Sequence, residues 1–176
     1  MSFLNIEIKA HCKNLSRIRQ ILRQRNAILK GEDHQIDTYF NCKHGRLKLR
    51  EGTIEHHLIH YNRDNEAHPK KSVVTLYKPH PGPNLKEILT KSLGALIVVD
   101  KKREIYFIEN IKFHLDTVNE LGTFVEIEAI DNTGEIGQDK LKKQCEKYIE
   151  LFQIQDEDLI NYSYSDMLLQ IKNQCH

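Results

Sequence analysis

The sequence Asn5-Ile6-Glu7-Ile8-Lys9 places a strictly alternating pattern close to the start of the chain. Side chains of a β-strand point alternately to opposite faces, so Ile6 and Ile8 share one face while Asn5, Glu7 and Lys9 share the other. A single strand of this kind is typical of an ordinary exposed ion pair, which contributes little to stability. A functional role gains support because several later predicted strands also have one charged face.

Length and charge limit the classes of protein to which this chain can belong. Its 176 residues suffice for one well-buried domain, so a single domain over residues 1–176 is predicted. A formal net charge of +1 provides no overall attraction to nucleic acid or to an acidic membrane. The first residues lack signal-peptide features, and no apolar run reaches the roughly 20 residues that a membrane span requires. A cytoplasmic protein without nucleic-acid or membrane partners is therefore expected.

Several later runs carry charged residues on one face of a predicted strand. Arg46, Lys48 and Arg50 share a face of the run 45–51, whereas Glu126 and Glu128 share a face of the run 123–128. Like charges along one strand face repel each other unless water or a counter-ion lies between them. The remaining polar positions that share faces in this way are Tyr61 with Arg63, Lys101 with Arg103, and Lys112 with His114 and Asp116.

Closing these strands into a barrel would turn their charged faces toward one interior. Carboxylates bind Mg²⁺ or Mn²⁺, and Arg and Lys clamp phosphate oxygens that the metal leaves free. We expect acids on one wall of this interior and bases on the other, and a polyanion held together with a divalent metal would suit such an arrangement. Apolar residues at helical spacing predict a helix over about 15–29 and another that includes residues 141–152. Asn84 as cap and Gly94 as stop predict a helix over about 84–93. A short helix is expected over about 164–171, and the C-terminal helices are expected to pack on the outside.

The order and spacing of these runs resemble the CYTH superfamily, the triphosphate tunnel metalloenzymes, and within it the class IV adenylyl cyclase-like branch. The segments that carry the resemblance are 5–9, 37–40, 45–51, 58–63, 101–106, 114–116, 122–128 and 163–168. The resemblance implies an α+β fold: an antiparallel, eight-stranded closed β-barrel over about residues 3–130, with outer packing helices at about 137–172. It also implies a tunnel that binds a small-molecule triphosphate with one or two Mg²⁺ or Mn²⁺ ions.

The family's N-terminal signature is Glu-x-Glu-x-Lys, and this chain departs from it at one position. Glu7 and Lys9 match the signature, whereas Asn5 stands where the first glutamate is expected. An amide oxygen can still bind a metal, but asparagine in place of glutamate leaves the site with one negative charge fewer. The resemblance implies metal binding by Glu7, Asp116, Glu126 and Glu128, with Asn5 as a weaker ligand. It implies substrate binding and catalysis by Lys9, Lys48, Arg50, Arg63 and Arg103, and a shared face adds Arg46, Tyr61, Lys101, Lys112 and His114 to the substrate-binding group.

Three functions are compatible with these residues. In a cyclase, the ribose 3′-oxygen of ATP attacks the α-phosphorus, and cyclic AMP and pyrophosphate form. In a triphosphatase, water attacks the terminal phosphorus of tripolyphosphate, thiamine triphosphate or a nucleoside triphosphate. The third interpretation is a module that binds a triphosphate without turnover, which the departure at Asn5 motivates. The first is preferred, in a protein that is a monomer or a homodimer.

Overall fold

The fold is seen in a computed structural model, which describes residues 2–63 and 70–174. The strands are β1 Ser2–His11, β2 Ile28–Phe40, β3 Arg46–Glu51, β4 His57–Arg63, β5 Lys70–Tyr77, β6 Ala95–Ile108, β7 Ile111–Val118 and β8 Gly122–Asp131. The α-helices are α1 Leu15–Gln24, α2 Pro83–Leu93, α3 Gln138–Phe152 and α4 Tyr164–Gln174. Within the described ranges, no helix combines the length and the apolar character that crossing a bilayer would demand.

All eight strands belong to one antiparallel sheet. Their order is β1-β5-β4-β3-β2-β6-β7-β8, and β1 pairs with both β5 and β8, so the order closes on itself as a barrel. The registers keep lumen-facing residues side by side: Lys9 lies opposite Glu126, and His114 also lies opposite Glu126. The prediction of an α+β chain with an eight-stranded antiparallel sheet is confirmed.

The main apolar core lies outside the sheet, beneath α1 and α3. Ile6, Phe113 and Ile127 come from the outward faces of β1, β7 and β8, and each is at most 1% exposed. Helix α3 covers them with an apolar stripe that includes Tyr148, whose ring packs edge-on against Phe113 at 4.7 Å between centroids. Because this face of each strand is buried, the alternate residues must point into the interior.

Helix α4 corrects the prediction that the C-terminal helices are all outer packing. Tyr164 and Leu168 are buried with Ile97, Val99 and Phe124, which lie on the inward faces of β6 and β8. The helix therefore covers one end of the sheet's interior, whereas α3 packs on the outside. Strand ends leave apolar inward residues uncovered, and α4 is the segment that buries them.

Helix α1 is shorter than the predicted helix over 15–29. Asn26 adopts φ 55°, and the N–H of Ala27 donates to the carbonyl oxygen of Leu22, which ends the helix. Ile28 and Leu29 then pair with β6 and begin the long strand β2. The helix prediction counts Leu29 at helical spacing, whereas in the structure Ile28 and Leu29 are both more than half exposed on an extended strand.

Candidate functional site

The interior of the sheet holds a cavity of about 260 Å³. The inward face of every strand except β2 and β5 contributes at least one residue that the sequence had singled out. Twelve predicted site residues line it: Asn5, Glu7, Lys9, Lys48, Arg50, Tyr61, Lys101, Arg103, Lys112, His114, Glu126 and Glu128. The alternation within each strand therefore brings together side chains that are far apart in the sequence.

One corner of the cavity is the acidic cluster, formed by Asn5, His114, Glu126 and Glu128. Ligand atoms of the last three lie within 4.8 Å of one another. The Asn5 amide nitrogen donates to Glu128 at 2.6 Å, and His114 Nδ1 lies 2.8 Å from Glu126 Oε1. Within the described residues, the buried Asn5 Oδ1 and His114 Nε2 have no hydrogen-bond partner. Two carboxylates, an amide oxygen and an imidazole nitrogen form a donor set that a divalent cation could use.

The two glutamates of the acidic cluster have opposite electrostatic environments. Burial raises the pKa of Glu128, and the neighbouring carboxylates of Glu7 and Glu126 add to that effect while Lys112 opposes it. Burial alone would also raise the pKa of Glu126, but Lys9, at 3.2 Å, and Arg103 hold it well below the usual range. A cation bound here would relieve the repulsion that raises the pKa of Glu128.

A second corner is the basic cluster of Lys48, Arg50 and Lys101, gathered around Asp37. Arg50 donates two hydrogen bonds to Asp37, both at 2.8 Å, and Lys101 and Lys48 approach the same carboxylate at 2.8 and 3.1 Å. Burial opposes ionisation of Asp37, but these three cations hold its pKa well below the usual range. The carboxylate thus keeps three donors converged on a small volume, as a phosphate group would.

Asp37 and Glu55 correct the expectation of a basic wall separate from an acidic one. Glu55 accepts a hydrogen bond from Arg50 at 2.8 Å and another from Lys112. Each carboxylate is less than 10% exposed and stands among cations. Acids and bases therefore alternate around much of the lumen, because buried cations require counter-ions when no ligand is bound.

Two other predicted residues, Asp116 and Arg46, are not among the described residues that line the cavity, and the structure does not describe the side chain of a third, Arg63. Asp116 is fully buried and accepts two hydrogen bonds from Arg103, at 2.7 and 2.6 Å, so it orients that guanidinium. Arg46 turns toward the start of α4, where it contacts Asp166 at 2.9 Å and Ser163 at 2.6 Å. Arg63 ends β4, and its side chain lies outside the described part of the structure.

The cavity lining also includes four aliphatic residues, here called the apolar wall: Ile59, Val74, Leu76 and Ile130. Val74 and Leu76 are only partly buried, so their side chains border open space within the lumen. Tyr61 marks the edge of this wall, and Lys48 Nζ lies 5.8 Å from its ring centroid. One cavity is thus lined by both charged and apolar side chains.

The sequence reasoning did not assign every residue of the site. Among the described lining residues that it left out are Asp37, Tyr39, Glu55 and Tyr164. Asp37 and Tyr39 lie on β2 with the same alternation as Lys48 and Arg50 on β3, which was a usable signal. Glu55 precedes β4 in an irregular segment, and Tyr164 arrives from a helix, so alternation could not indicate either.

Lys101 predicts a specific dependence of stability on pH. Burial lowers its pKa to about 7, and the nearby Arg50 and Arg103 contribute, whereas an unfolded lysine has a pKa of 10.5. Between these values the unfolded chain binds more protons, so the free energy of unfolding should rise with pH. We expect an increase of about 1 to 2 kcal/mol between pH 7 and 8.5, measured by urea denaturation. The variant Lys101→Met should lose this increase, and an equal increase in both proteins would contradict the assignment.

Comparison with known proteins agrees with this arrangement. The family model described as the CYTH domain matches residues 4–164. The chain belongs to the CYTH domain family. No curated protein sequence matches this CYTH chain. Among solved structures, the PH1012 protein from Pyrococcus horikoshii OT3 is similar, with 22% identity, a TM-score of 0.74, and coverage of 92% of this chain and 98% of that one.

Two further structures with this CYTH fold have functional descriptions. A putative adenylate cyclase from Vibrio parahaemolyticus has 18% identity and a TM-score of 0.70, covering 94% of this chain and 97% of its own. A putative adenylyl cyclase from Hippeastrum, described as having a dominant triphosphatase activity, has 12% identity and a TM-score of 0.58. That alignment covers 97% of this chain and 96% of the other. At these identities the likeness establishes the shared fold.

Proposed function

We propose that this chain is a metal-dependent enzyme that converts a nucleoside triphosphate, with ATP as the first candidate, into its cyclic monophosphate and pyrophosphate. The observation that carries the proposal is the composition of one cavity. It brings together the acidic cluster, the basic cluster and the apolar wall, which suit a metal ion, a polyphosphate and an organic group respectively. Membership of the CYTH family supports the same class of substrate.

The acidic cluster supplies the residues that would hold Mg²⁺ or Mn²⁺. Glu126, Glu128 and His114 offer donor atoms within 4.8 Å of one another, and Asn5 Oδ1 is a buried acceptor unpartnered among the described residues. A bound divalent cation would neutralise charge on the triphosphate oxygens and make the phosphorus a better electrophile. Lys9 lies beside this cluster, 3.2 Å from Glu126, where it can contact the same phosphate oxygens.

The basic cluster would stabilise the charge that develops on the leaving pyrophosphate. Arg50 presents a rigid guanidinium already oriented by Asp37 and Glu55, and Lys48 and Lys101 converge on the same region. Donors that are fixed before the ligand binds need no reorganisation during the reaction. On ligand binding, phosphate oxygens would exchange for part of the contacts that these cations now make with carboxylates.

The apolar wall favours a triphosphate ester over inorganic tripolyphosphate. Tripolyphosphate is charged along its whole length and gains nothing from contact with Ile59, Val74 and Leu76. A nucleobase can pack its face against such side chains while its phosphates reach the acidic and basic clusters. The position of the base against this wall would also determine which phosphorus atom faces the nucleophile.

A triphosphatase is the second candidate function. The Hippeastrum structure, described as having a dominant triphosphatase activity, supports it. The same metal-binding and cationic residues would serve if water rather than a ribose oxygen attacked, and if the terminal phosphorus took the reacting position. The apolar wall would then contribute to binding the ester without aligning its ribose.

A product assay separates these functions. Purified protein is mixed with Mn²⁺ and either ATP or tripolyphosphate, and cyclic AMP, pyrophosphate and orthophosphate are measured. Cyclic AMP with equal pyrophosphate supports the cyclase, whereas orthophosphate without cyclic AMP supports the triphosphatase. Measurable binding with no product from either substrate would leave a binding module, and the absence of binding would overturn the proposal.

Asn5→Glu should make the stability of the fold more dependent on a divalent metal. The amide of Asn5 donates to Glu128, and a carboxylate in its place would instead repel Glu128 and Glu7. We expect a loss of about 1 to 3 kcal/mol of unfolding free energy without metal, most of it recovered with Mn²⁺. Thermal unfolding with and without Mn²⁺ measures both effects. The control is Thr117→Glu, at an exposed position of β7 outside the cavity. The same response in both variants would contradict the prediction.

A further inference from the structure

The start of helix α4 forms part of the cavity wall. Ser163 and Tyr164 both line the cavity, although they follow the last strand by more than thirty residues. Tyr164 is 5% exposed, and its ring packs against Phe124 on the inward face of β8 at 4.9 Å between centroids. The covered end of the lumen is thus built from the C-terminal segment as well as from the sheet.

Several contacts fix this segment to the sheet. The backbone N–H of Ile160 donates to the carbonyl oxygen of Lys9 at 2.9 Å, and Leu159 forms an isolated β-bridge with Ala10. On the other side, Arg46 on β3 joins the start of α4 through Asp166, at 2.9 Å. These attachments reach both β1 and β3, so they determine where Tyr164 lies in the lumen.

Tyr164 contacts two of the proposed phosphate-binding cations in different ways. Its hydroxyl donates to Asp116 at 2.7 Å, and the same carboxylate holds the guanidinium of Arg103 through two hydrogen bonds. The face of its ring lies 4.1 Å from Lys9 Nζ, within the range of a cation–π interaction. Lys9 and Arg103 are each less than 10% exposed.

Packing alone would account for the ring of Tyr164 but not for its hydroxyl. Asp116 is 0% exposed and already accepts two hydrogen bonds from Arg103, so its position is sensitive to a third donor. Apolar residues of the same cluster, such as Leu168, fill space in this end of the barrel without making such contacts. The hydroxyl therefore has an electrostatic role that a phenylalanine could not take.

We propose that Tyr164 is a positioning residue for triphosphate binding, which fixes Lys9 directly and Arg103 through Asp116. The inference rests on the proposed function, since it concerns the same cavity. It makes the C-terminal helix part of the binding site, because the ring and hydroxyl reach the two cations only when α4 occupies the end of the lumen. Residues outside the strands thereby set the geometry of cations that the strands supply.

Binding measurements on the full chain test this proposal. The dissociation constant of α,β-methylene-ATP, an ATP analogue that cannot release pyrophosphate, is measured by calorimetry with Mn²⁺ for wild type, Tyr164→Phe, Tyr164→Leu and the control Tyr162→Phe. Tyr162 lies two residues away and is 49% exposed. We expect binding about fivefold weaker for the phenylalanine variant, about thirtyfold weaker for the leucine variant, and within about twofold of wild type for the control.

A second set in the Lys9→Met background separates positioning from general stability. If Tyr164 acts through Lys9, Tyr164→Leu should weaken binding less in that background than in wild type, whereas a purely structural role would give the same factor in both. Thermal unfolding identifies a leucine variant that fails to fold, and the phenylalanine variant then decides. Binding by Tyr164→Phe within twofold of wild type would overturn the positioning of Arg103, and an equal factor for Tyr164→Leu in both backgrounds would overturn the positioning of Lys9; either result would leave the proposed function intact. Absence of binding by the wild type itself would overturn both.

Discussion

Arg50→Ala should lower the free energy of unfolding by about 3 to 5 kcal/mol and also remove turnover, because this guanidinium supports two buried carboxylates. Its three donating nitrogens contact Asp37 twice and Glu55 once, all at 2.8 Å. Without it, Lys48 and Lys101 remain at Asp37, but neither provides two parallel hydrogen bonds. Urea denaturation followed by circular dichroism measures the stability, and the product assay measures the rate.

Lys48→Ala is the matched variant for Arg50→Ala. Lys48 donates to Asp37 at 3.1 Å and to Tyr39 at 3.3 Å, so its removal leaves Asp37 paired with Arg50 and Lys101. We expect a small loss of stability, about 1 kcal/mol, with a fall in turnover on the order of 100-fold. A change of less than threefold in the turnover of both variants would argue against phosphate binding by the basic cluster. Unaltered stability of Arg50→Ala would show that Asp37 and Glu55 do not depend on it.

Glu126→Gln is the second change with a large expected effect. Glutamine has almost the same shape and can still accept a hydrogen bond from His114, which now lies 2.8 Å from Oε1. The substitution removes the negative charge that Lys9 and Arg103 hold ionised, and with it the strongest candidate ligand of the acidic cluster. Metal-dependent turnover should fall by about 100-fold or more while the fold is kept.

The control for this variant is Glu104→Gln, which removes a carboxylate that pairs with Arg19 away from the cavity. Turnover is measured across a Mn²⁺ titration, and circular dichroism checks the fold. Glu104→Gln should keep the turnover and metal requirement of wild type. If Glu126→Gln is unfolded, Glu126 is a structural residue. If it keeps both turnover and metal affinity, the acidic cluster does not bind the metal.

Much of the lumen could be read from the sequence because alternation fixes which side chains share a face. Glu7 with Lys9, and Lys101 with Arg103, lie together in the cavity as the period of two requires. Alternation does not determine which charges become partners across strands. Arg103 was therefore correctly placed, while the role of Asp116 as its buried partner was not foreseen.

The parts that the sequence did not indicate depend on tertiary placement. Glu55 enters the lumen from the irregular segment between β3 and β4, whose backbone N–H groups bind Asp33. The sequence pattern of an amphipathic helix such as α4 is the same whether the helix packs inside or outside a barrel. Here the helix packs at the interior because the inward apolar residues at the strand ends need to be buried. The early end of α1 likewise depends on pairing of Ile28 with β6, which local propensity does not contain.

The alternation of acids with bases around the lumen has a consequence for how an anion reaches it. Six described cations and five described carboxylates line the cavity, so their fields largely cancel beyond a few ångströms. Long-range attraction therefore contributes little to the encounter with a charged ligand. Binding depends instead on short-range exchange, in which each oxygen of the ligand displaces a carboxylate from its lysine or arginine. The protein would therefore discriminate among ligands at close contact rather than during diffusion.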